Sequence, residues 1–489
     1  MKFLIDTNIF IPLEPGAYAD LEAGTPAAIE FARLASETGN QLYVHPVTRV
    51  DIRRDVDDVR RKVREILFKK YPRLPNPPPI SSSLEQVLGH ADPQTNDWVD
   101  NHLIAALEVD AVDFLVTEDR SLRKKARRLG LEDRVATVAE ALSILRDLYD
   151  IAPMPPPAVQ AVKAHALNEA DPIFRSFRED YPGFDTWLTK CKREHRQAWV
   201  IEMEPPRLAA VCIVKQEKSV DFGVGGKILK MCSFKVSEEY NGFRFGELLL
   251  KTVFDHASSN RYDWIYVTVF EKYGNLIRLL EDFGFQDVGH RTERGELVLA
   301  KPMSFTEADR DSHQPLPFNI RYGPFGTKIK GVPAFVVPIK PQYHRLLFPE
   351  AEKQLELMPG MHPFGNSIRK AYLSNAAIRT ITPGANLLFY RSQDIHSVTC
   401  LGSVEGILVS SSPIEIARYV GKRTVYRFTE IEALCQREVL AILFRQSRIL
   451  KNPMPLRVLI ANGVLSAAPR SILTVPERTI EWLQTQLNG

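Results

Sequence analysis

MKFLIDTNIF, residues 1–10, sets a short apolar strand, Lys2 to Ile5, directly in front of an acid, Asp6. A carboxylate at the carboxyl end of a strand stands where parallel sheets gather their ligands. Reading outward, Ala27 to Ser36 has helical spacing, Gln41 to Val44 reads as a second strand, and Val50 to Lys70 as one long charged helix. Val99 to Leu107 follows as a helix, Phe114 to Thr117 as a third strand, and Ser121 to Leu129 as a basic helix. This alternation predicts a mostly parallel sheet with helices on both faces. Asp6 and Asp119 both fall just past strand ends.

At 489 residues the chain exceeds what one hydrophobic core covers, so several domains are expected. Hydrophobic residues at 44% and charged residues at 25% match a soluble globular protein rather than a disordered or membrane one. The net charge of +3 is too small to name a partner, which leaves that to local charge. No apolar run reaches the length of a membrane span, and the opening run is interrupted at Asp6, too early for a secretory signal. The cysteines, Cys191, Cys212, Cys232, Cys400 and Cys435, are odd in number and form no Cys-x-x-Cys pair, so neither zinc nor a disulfide framework is expected. Reduced thiols fit a cytoplasmic protein.

Two stretches read as linkers: DIAPMPPP at Asp150 to Pro157, where prolines cannot continue a helix, and the polar Ser304 to Pro317. They divide the chain into 1–149, 158–303 and 318–489, each of ordinary domain size. Pro72 to Ile80 reads as a surface loop within the first.

The first segment holds an ordered acidic set. Asp6-Thr7-Asn8 follows a strand, Thr48-Arg49-Val50-Asp51 opens a helix, Asp100 begins DNHLIAA, and Thr117-Glu118-Asp119 follows a strand. Converging carboxylates repel one another unless a cation neutralises them, and Mg²⁺ or Mn²⁺ on oxygen ligands can generate an attacking hydroxide. The set resembles the PIN-domain nucleases over the whole segment. That resemblance implies metal-dependent cleavage of RNA, single-stranded or structured, with Asp6, Asp51, Asp100 and Asp119 as catalytic acids and metal ligands. It also implies a toxin or defence role, with an antitoxin protein as partner. The family's second acid is usually Glu; here it is Asp51, with Asp55 one helical turn later as the alternative. The plainer readings are a turn or N-cap at Asp6, a helix cap at Asp100 and a turn at Asp119. Arg120, Arg123, Lys124, Lys125, Arg127 and Arg128 follow Asp119 and suit phosphate contacts. On the helix from Val50, Asp55, Asp57, Asp58 and Glu65 interleave with the basic residues, so intrahelical pairing is expected there.

The second segment reads as strands at Ala198 to Glu202, Leu208 to Gln216, Ile228 to Val236, Trp264 to Phe270 and Leu297 to Lys301, with helices at Phe245 to Ala257 and Asn275 to Phe283. Phe234, Val236, Asn241, Gly242, Phe243, Arg244, Phe245 and Gly246 lie on a strand, a tight loop and a helix start, a layout whose backbone amides can meet a pyrophosphate. The stretch resembles the acetyl-CoA cradle of the GNAT acetyltransferases, and Glu281-Asp282-Phe283-Gly284-Phe285 resembles their later Gly-Phe turn. The resemblance implies acetyl-CoA binding at those eight residues. Two positions depart from the pattern: Arg244 stands where glycine is usual, and Leu280 where a tyrosine often protonates the departing thiolate, with Tyr273 near enough in sequence to substitute.

The third segment is rich in strand signals: Ala334 to Ile339, Leu387 to Tyr390, Val398 to Val409 and Leu440 to Arg445. Pro383-Gly384-Ala385-Asn386 before Leu387 resembles the turn and strand of PUA-like barrels of the ASCH and EVE type, which implies an RNA-binding role. Asn366 to Tyr372, Gly421 to Tyr426 and Phe444-Arg445 mix basic and aromatic residues, a combination suited to unpaired nucleotides. The expected fold is therefore a multidomain α/β chain: a PIN-like parallel sheet with helices, a GNAT-like α/β domain, and a PUA-like β-barrel with helices. The leading functional expectation is a ribonuclease. The alternative is an acetyl-CoA-dependent N-acetyltransferase acting on RNA or protein, with its nuclease domain inactive; a third is a non-catalytic RNA-binding assembly protein.

Overall fold

The computed structural model describes the chain apart from residues 14–24, 70, 94, 150–158, 204–206, 238–244, 352–366 and 489. Its first unit is a parallel sheet in the order β2-β1-β3-β4, with β1 Lys2–Ile5, β2 Gln41–Val44, β3 Phe114–Val116 and β4 Val135–Ala136. Parallel neighbours need crossovers, and the helices Thr25–Glu37, Asn96–Glu108 and Arg120–Arg128 supply them. Successive β1 residues face opposite sides. Phe3 stacks on Phe114 on one face, and Leu4 packs with Leu103 and Leu115 on the other.

The single helix expected from Val50 to Lys70 is two, Thr48–Arg53 and Asp58–Phe68. Asp55 breaks it: its carboxylate accepts the Asp57 amide at 3.0 Å and pairs with Arg64 at 2.6 Å. A short acid that satisfies nearby backbone amides competes with the helical ladder.

The second unit is a seven-stranded sheet in the order β10-β11-β9-β8-β7-β6-β5. Its strands are β5 Gln160–Lys163, β6 Gln197–Met203, β7 Arg207–Glu217, β8 Ile228–Val236, β9 Trp264–Val269, β10 Gln286–Arg291 and β11 Leu297–Pro302. Only β8 and β9 pair in parallel, because the helix Phe245–Ser259 crosses over between them. The stretch after β11, expected as a linker, is helical at Glu307–Ser312 and Pro315–Tyr322. Thr306 and Asp309 form a capping box at the first, and Pro315 starts the second, where its missing N–H costs nothing.

The third unit holds β12 Ala334–Ile339, β13 Arg369–Ser374, β14 Asn386–Arg391, β15 Ser397–Ser410, β16 Val439–Pro455 and β17 Leu473–Thr474. Their order, β13-β16-β15-β14-β12-β17, is open, with β13 and β17 at the edges, so the described residues do not close into the expected barrel. The units share apolar cores. First- and third-unit residues belong to one cluster, with Tyr149 against Phe428 at 5.5 Å, and Ile368 enters the core of the second unit. Among the described residues no helix is long and apolar enough to cross a membrane, and all five cysteines are free thiols.

Gly284 locks the helix Pro315–Tyr322 onto the central sheet. It has φ +86°, and a Cβ there would lie 2.2 Å from the Ile320 carbonyl oxygen. Its own carbonyl accepts Arg321 Nη1 at 2.6 Å. Gly284→Ala should cost about 2–3 kcal/mol, from the left-handed backbone and the forced separation together. A urea midpoint unchanged from wild type would show that the helix gives way freely.

Candidate functional site

The parallel pair in the central sheet parts company midway. β8 and β9 are in register from Ile228 opposite Trp264 to Met231 opposite Val267. Past that point β8 stays with β7 as far as Val236, opposite Ala210, and β9 stays with β11 as far as Val269, opposite Leu297. The facing edges beyond Met231 and Val267 are thus turned toward a wedge rather than toward each other. Strand edges of this kind offer amides and carbonyls to an extended ligand.

Phe234 and Phe245 are buried against this wedge, and Val236 is half-buried. Gly246 lies in the first turn of the crossover helix. A Cβ would meet Leu279 at 2.7 Å, with Val236 and Phe234 at 3.7 and 3.8 Å. The tight contact is with the end of the Leu279 side chain, while the two β8 side chains lie at ordinary van der Waals distance. Asn241, Gly242, Phe243 and Arg244 lie outside the described residues. Leu280, the departure from the tyrosine pattern, is fully buried between apolar neighbours of the central core, so no phenol stands there. Tyr273 donates its hydroxyl to Asp180. Sequence reasoning missed Asp180, which lies ninety-odd positions from Tyr273 and shares no motif with it. It also missed Glu247, whose buried carboxylate accepts the amides of Ile368 and Arg369 at 2.8 and 2.7 Å and ties the third unit to the crossover helix.

The N-terminal acids do come together at the carboxyl end of their sheet. Asp6 carries the charges of Asp51 and Asp100 against it, and Asp100 carries that of Asp119. Each carboxylate is nevertheless occupied by the protein. Asp6 accepts Thr117 Oγ1 and Asn8 Nδ2, both at 2.7 Å, and the Thr7 amide at 2.6 Å. Asp51 pairs with Arg54 and accepts Thr7 Oγ1, both at 2.8 Å. Asp100 pairs with Lys125 at 2.9 Å. Asp119, whose plainer reading was a turn, caps the helix Arg120–Arg128 through the Ser121 and Leu122 amides. Asp100 is not a cap, because Thr95 holds that place. Asp55 is engaged by Arg64. Among the described residues no three His, Cys, Asp or Glu side chains are grouped so as to hold a metal ion. Lys125 and Arg54 neutralise Asp100 and Asp51, while Asp6 and Asp119 meet only neutral donors, so nothing in this arrangement supports the expected Mg²⁺ or Mn²⁺.

The basic helix behind Asp119 is divided: Arg120, Lys124 and Arg128 are exposed, while the others pair with acids. Arg123 pairs with Glu140, Lys125 with Asp97 and Asp100, and Arg127 with Asp282, and Arg128 donates to the Val87 carbonyl. In the third unit, Tyr372, Tyr426, Phe444 and Lys370 are buried, while Arg369, Arg423 and Arg445 converge on Glu405. These residues do not form the exposed stacking surface expected of them; three lysine- or arginine-bearing stretches instead supply an internal ion cluster.

No family model matches the chain. The chain is similar to the spermine/spermidine N(1)-acetyltransferase of Bacillus subtilis (strain 168), 35% identical over 71 residues, which is 14% of this chain and 47% of that protein. It thus spans about half the length of that curated relative. Among solved structures, an acetyltransferase of the GNAT family from Staphylococcus aureus Mu50 is 12% identical over 30% of this chain and 100% of its own, with a TM-score of 0.24. The ASCH protein of Zymomonas mobilis is 12% identical over 31% of this chain and 94% of its own, with a TM-score of 0.25.

Proposed function

We propose that the chain is an acetyl-CoA-dependent N-acetyltransferase whose acceptor is an alkyl amine of the polyamine kind. The observation that carries this reading is the wedge between β8 and β9, opening where the crossover helix begins. The short stretch of identity with a polyamine acetyltransferase supports it. The wedge suits the cofactor: the strand edges past Met231 and Val267 match the amides of a pantetheine arm. Phe234 and Val236 on β8, with the amides at the start of the helix Phe245–Ser259, would hold it, a helix N-terminus being favourable to phosphate. Bound there, acetyl-CoA supplies an activated acyl thioester. The apolar side chains around the wedge exclude water, which disfavours hydrolysis relative to transfer.

The N-terminal acids favour this reading over RNA cleavage, because Lys125 and Arg54 already neutralise two of the carboxylates. The full chain should release free thiol from acetyl-CoA only when a primary amine is present, and labelled RNA with Mn²⁺ or Mg²⁺ should remain intact. Thiol release independent of amine would sink the transferase reading. RNA cleavage abolished by both Asp6→Asn and Asp100→Asn would restore the nuclease.

A further inference from the structure

Beside the wedge, at the carboxyl end of β9, stands a group of side chains that the transfer reaction has not used. The Asp180 carboxylate is only 9% exposed, yet it accepts both the Tyr273 hydroxyl and the Lys272 ammonium. Burial pushes its pKa up, but those hydrogen bonds outweigh burial and hold it below the ordinary carboxylate range, so it is ionised at neutral pH. The Lys272 ammonium also lies over two rings, 5.7 Å from the Phe270 centroid and 5.1 Å from that of Tyr273. Tyr181 extends the aromatic wall, 5.5 Å from Phe270, and carries the Arg294 guanidinium 5.6 Å over its own ring. Behind it lies a second buried acid, Glu296, which accepts the Tyr181 hydroxyl at 2.6 Å and Thr292 Oγ1 at 3.0 Å.

An ionised carboxylate walled by aromatic faces is an ammonium-binding arrangement, because the ring quadrupoles and the carboxylate attract the same cation. Here the cation in place is the protein's own. Lys272 is 59% exposed, so its stem is free to swing into solvent. Because Asp180 is buried, it needs a counter-charge, and exchanging the Lys272 ammonium for another ammonium supplies one. Tyr273 packs against the same apolar cluster as Phe234 and Val236 of β8. Lys235, on the part of β8 that has left β9, is near enough for its charge to act on Asp180.

We infer that Asp180, Phe270 and Tyr273 bind the distal ammonium of a diammonium acceptor, and that Lys272 occupies this place until the acceptor displaces it. The inference rests on the transferase reading and names the acceptor's second charge as what is recognised. Its consequence is a preference for diamines over monoamines, expressed in KM rather than in kcat.

The test compares 1,4-diaminobutane with butylamine as acceptors for the full chain. Wild type should show a KM about tenfold lower for the diamine, the size of one well-placed charged contact. In Asp180→Asn and in Phe270→Leu the ratio of the two KM values should fall toward one. Lys272→Met, which empties the box without altering its walls, should lower the diamine KM further. Equal KM values in wild type, or a preference that survives Asp180→Asn with an unchanged melting curve, would overturn the inference. If wild type acetylates neither amine, the transferase reading fails, and calorimetric titration with 1,4-diaminobutane then decides the box separately. Heat of binding present in wild type and absent in Asp180→Asn supports it; no binding to either protein overturns it.

Discussion

Glu405→Ala is expected to destabilise the protein by about 3–5 kcal/mol, the usual result of stripping the counter-charge from buried cations. Glu405 sits on β15 with its side chain 11% exposed and holds three arginines. Arg445 Nε lies at 2.6 Å, Arg369 Nε at 3.0 Å and Arg423 Nη1 at 3.3 Å. Burial alone would raise the Glu405 pKa, but the three guanidiniums outweigh it and hold it far below the ordinary glutamate range. Arginine does not release its proton to relieve the loss, so all three charges would remain and repel one another.

The damage should reach beyond the third unit. Arg423 also pairs with Asp133 of the first unit at 3.1 Å. Arg445 Nη1 donates to the Asp282 carbonyl of the second unit at 2.6 Å and lies 5.2 Å over the Phe283 ring. Glu405 therefore anchors the side chains that join all three units. Urea unfolding of Glu405→Ala should separate into more than one transition when followed by probes in different units, whereas Glu405→Gln, which keeps an acceptor, should suffer less. A loss under about 1 kcal/mol would place the cluster among surface ion pairs of small value. Because the folded pKa is depressed, the contribution is present above the ordinary glutamate range. It declines as pH falls below that range, and Glu405→Gln should flatten this acid limb.

Asp6→Asn is expected to act in the opposite direction. Asp6 is 6% exposed, and burial first, then the charges of Asp100 and Asp51, push its pKa up to about 7 despite the donors around it. A carboxyl raised in the fold favours its protonated form there. Its stabilisation is complete below the unfolded value near 3.8 and is lost as pH rises through about 7. A shift of this size corresponds to roughly 4 kcal/mol at alkaline pH. In chelator-treated protein, Asp6→Asn should therefore melt close to wild type at pH 4 and well above it at pH 8. Parallel pH profiles for the two proteins would show that Asp6 is already ionised. Mn²⁺ that stabilised wild type at pH 8, but not Asp6→Asn, would return the acids to the role of metal ligands.

Buried strands and strongly periodic helices were legible because local burial patterns repeat within a few residues, whereas β5, β10, β13 and the helices of the third unit were not read from the sequence. β8 runs from Ile228 to Val236 as its apolar spacing indicates, and β12 from Ala334 to Ile339. The helix break at Asp55 was not legible, because an acid that pairs with Arg64 and one that sits on a continuous helix look the same in sequence. Open sheet order and a closed barrel are equally compatible with the same strands, since closure depends on which edges meet.

The acids of the first unit illustrate the division. That Asp6, Asp100 and Asp119 would share one end of a parallel sheet followed from where each stands relative to its strand or helix. That Lys125 would turn onto Asp100, and Arg54 onto Asp51, did not. Lysine and arginine carry their charge at the end of long flexible stems, so helical position does not say which carboxylate they reach. In the same way Phe270, Lys272 and Tyr273 are adjacent in the chain, but only the packing of the helix Arg175–Asp180 against the end of β9 brings Asp180 to them. Residue order alone determined where strands end and which residues stand at those ends. The folded packing decided which charges meet, because a favourable ion pair is a property of two faces brought together and neither stretch of sequence carries it by itself.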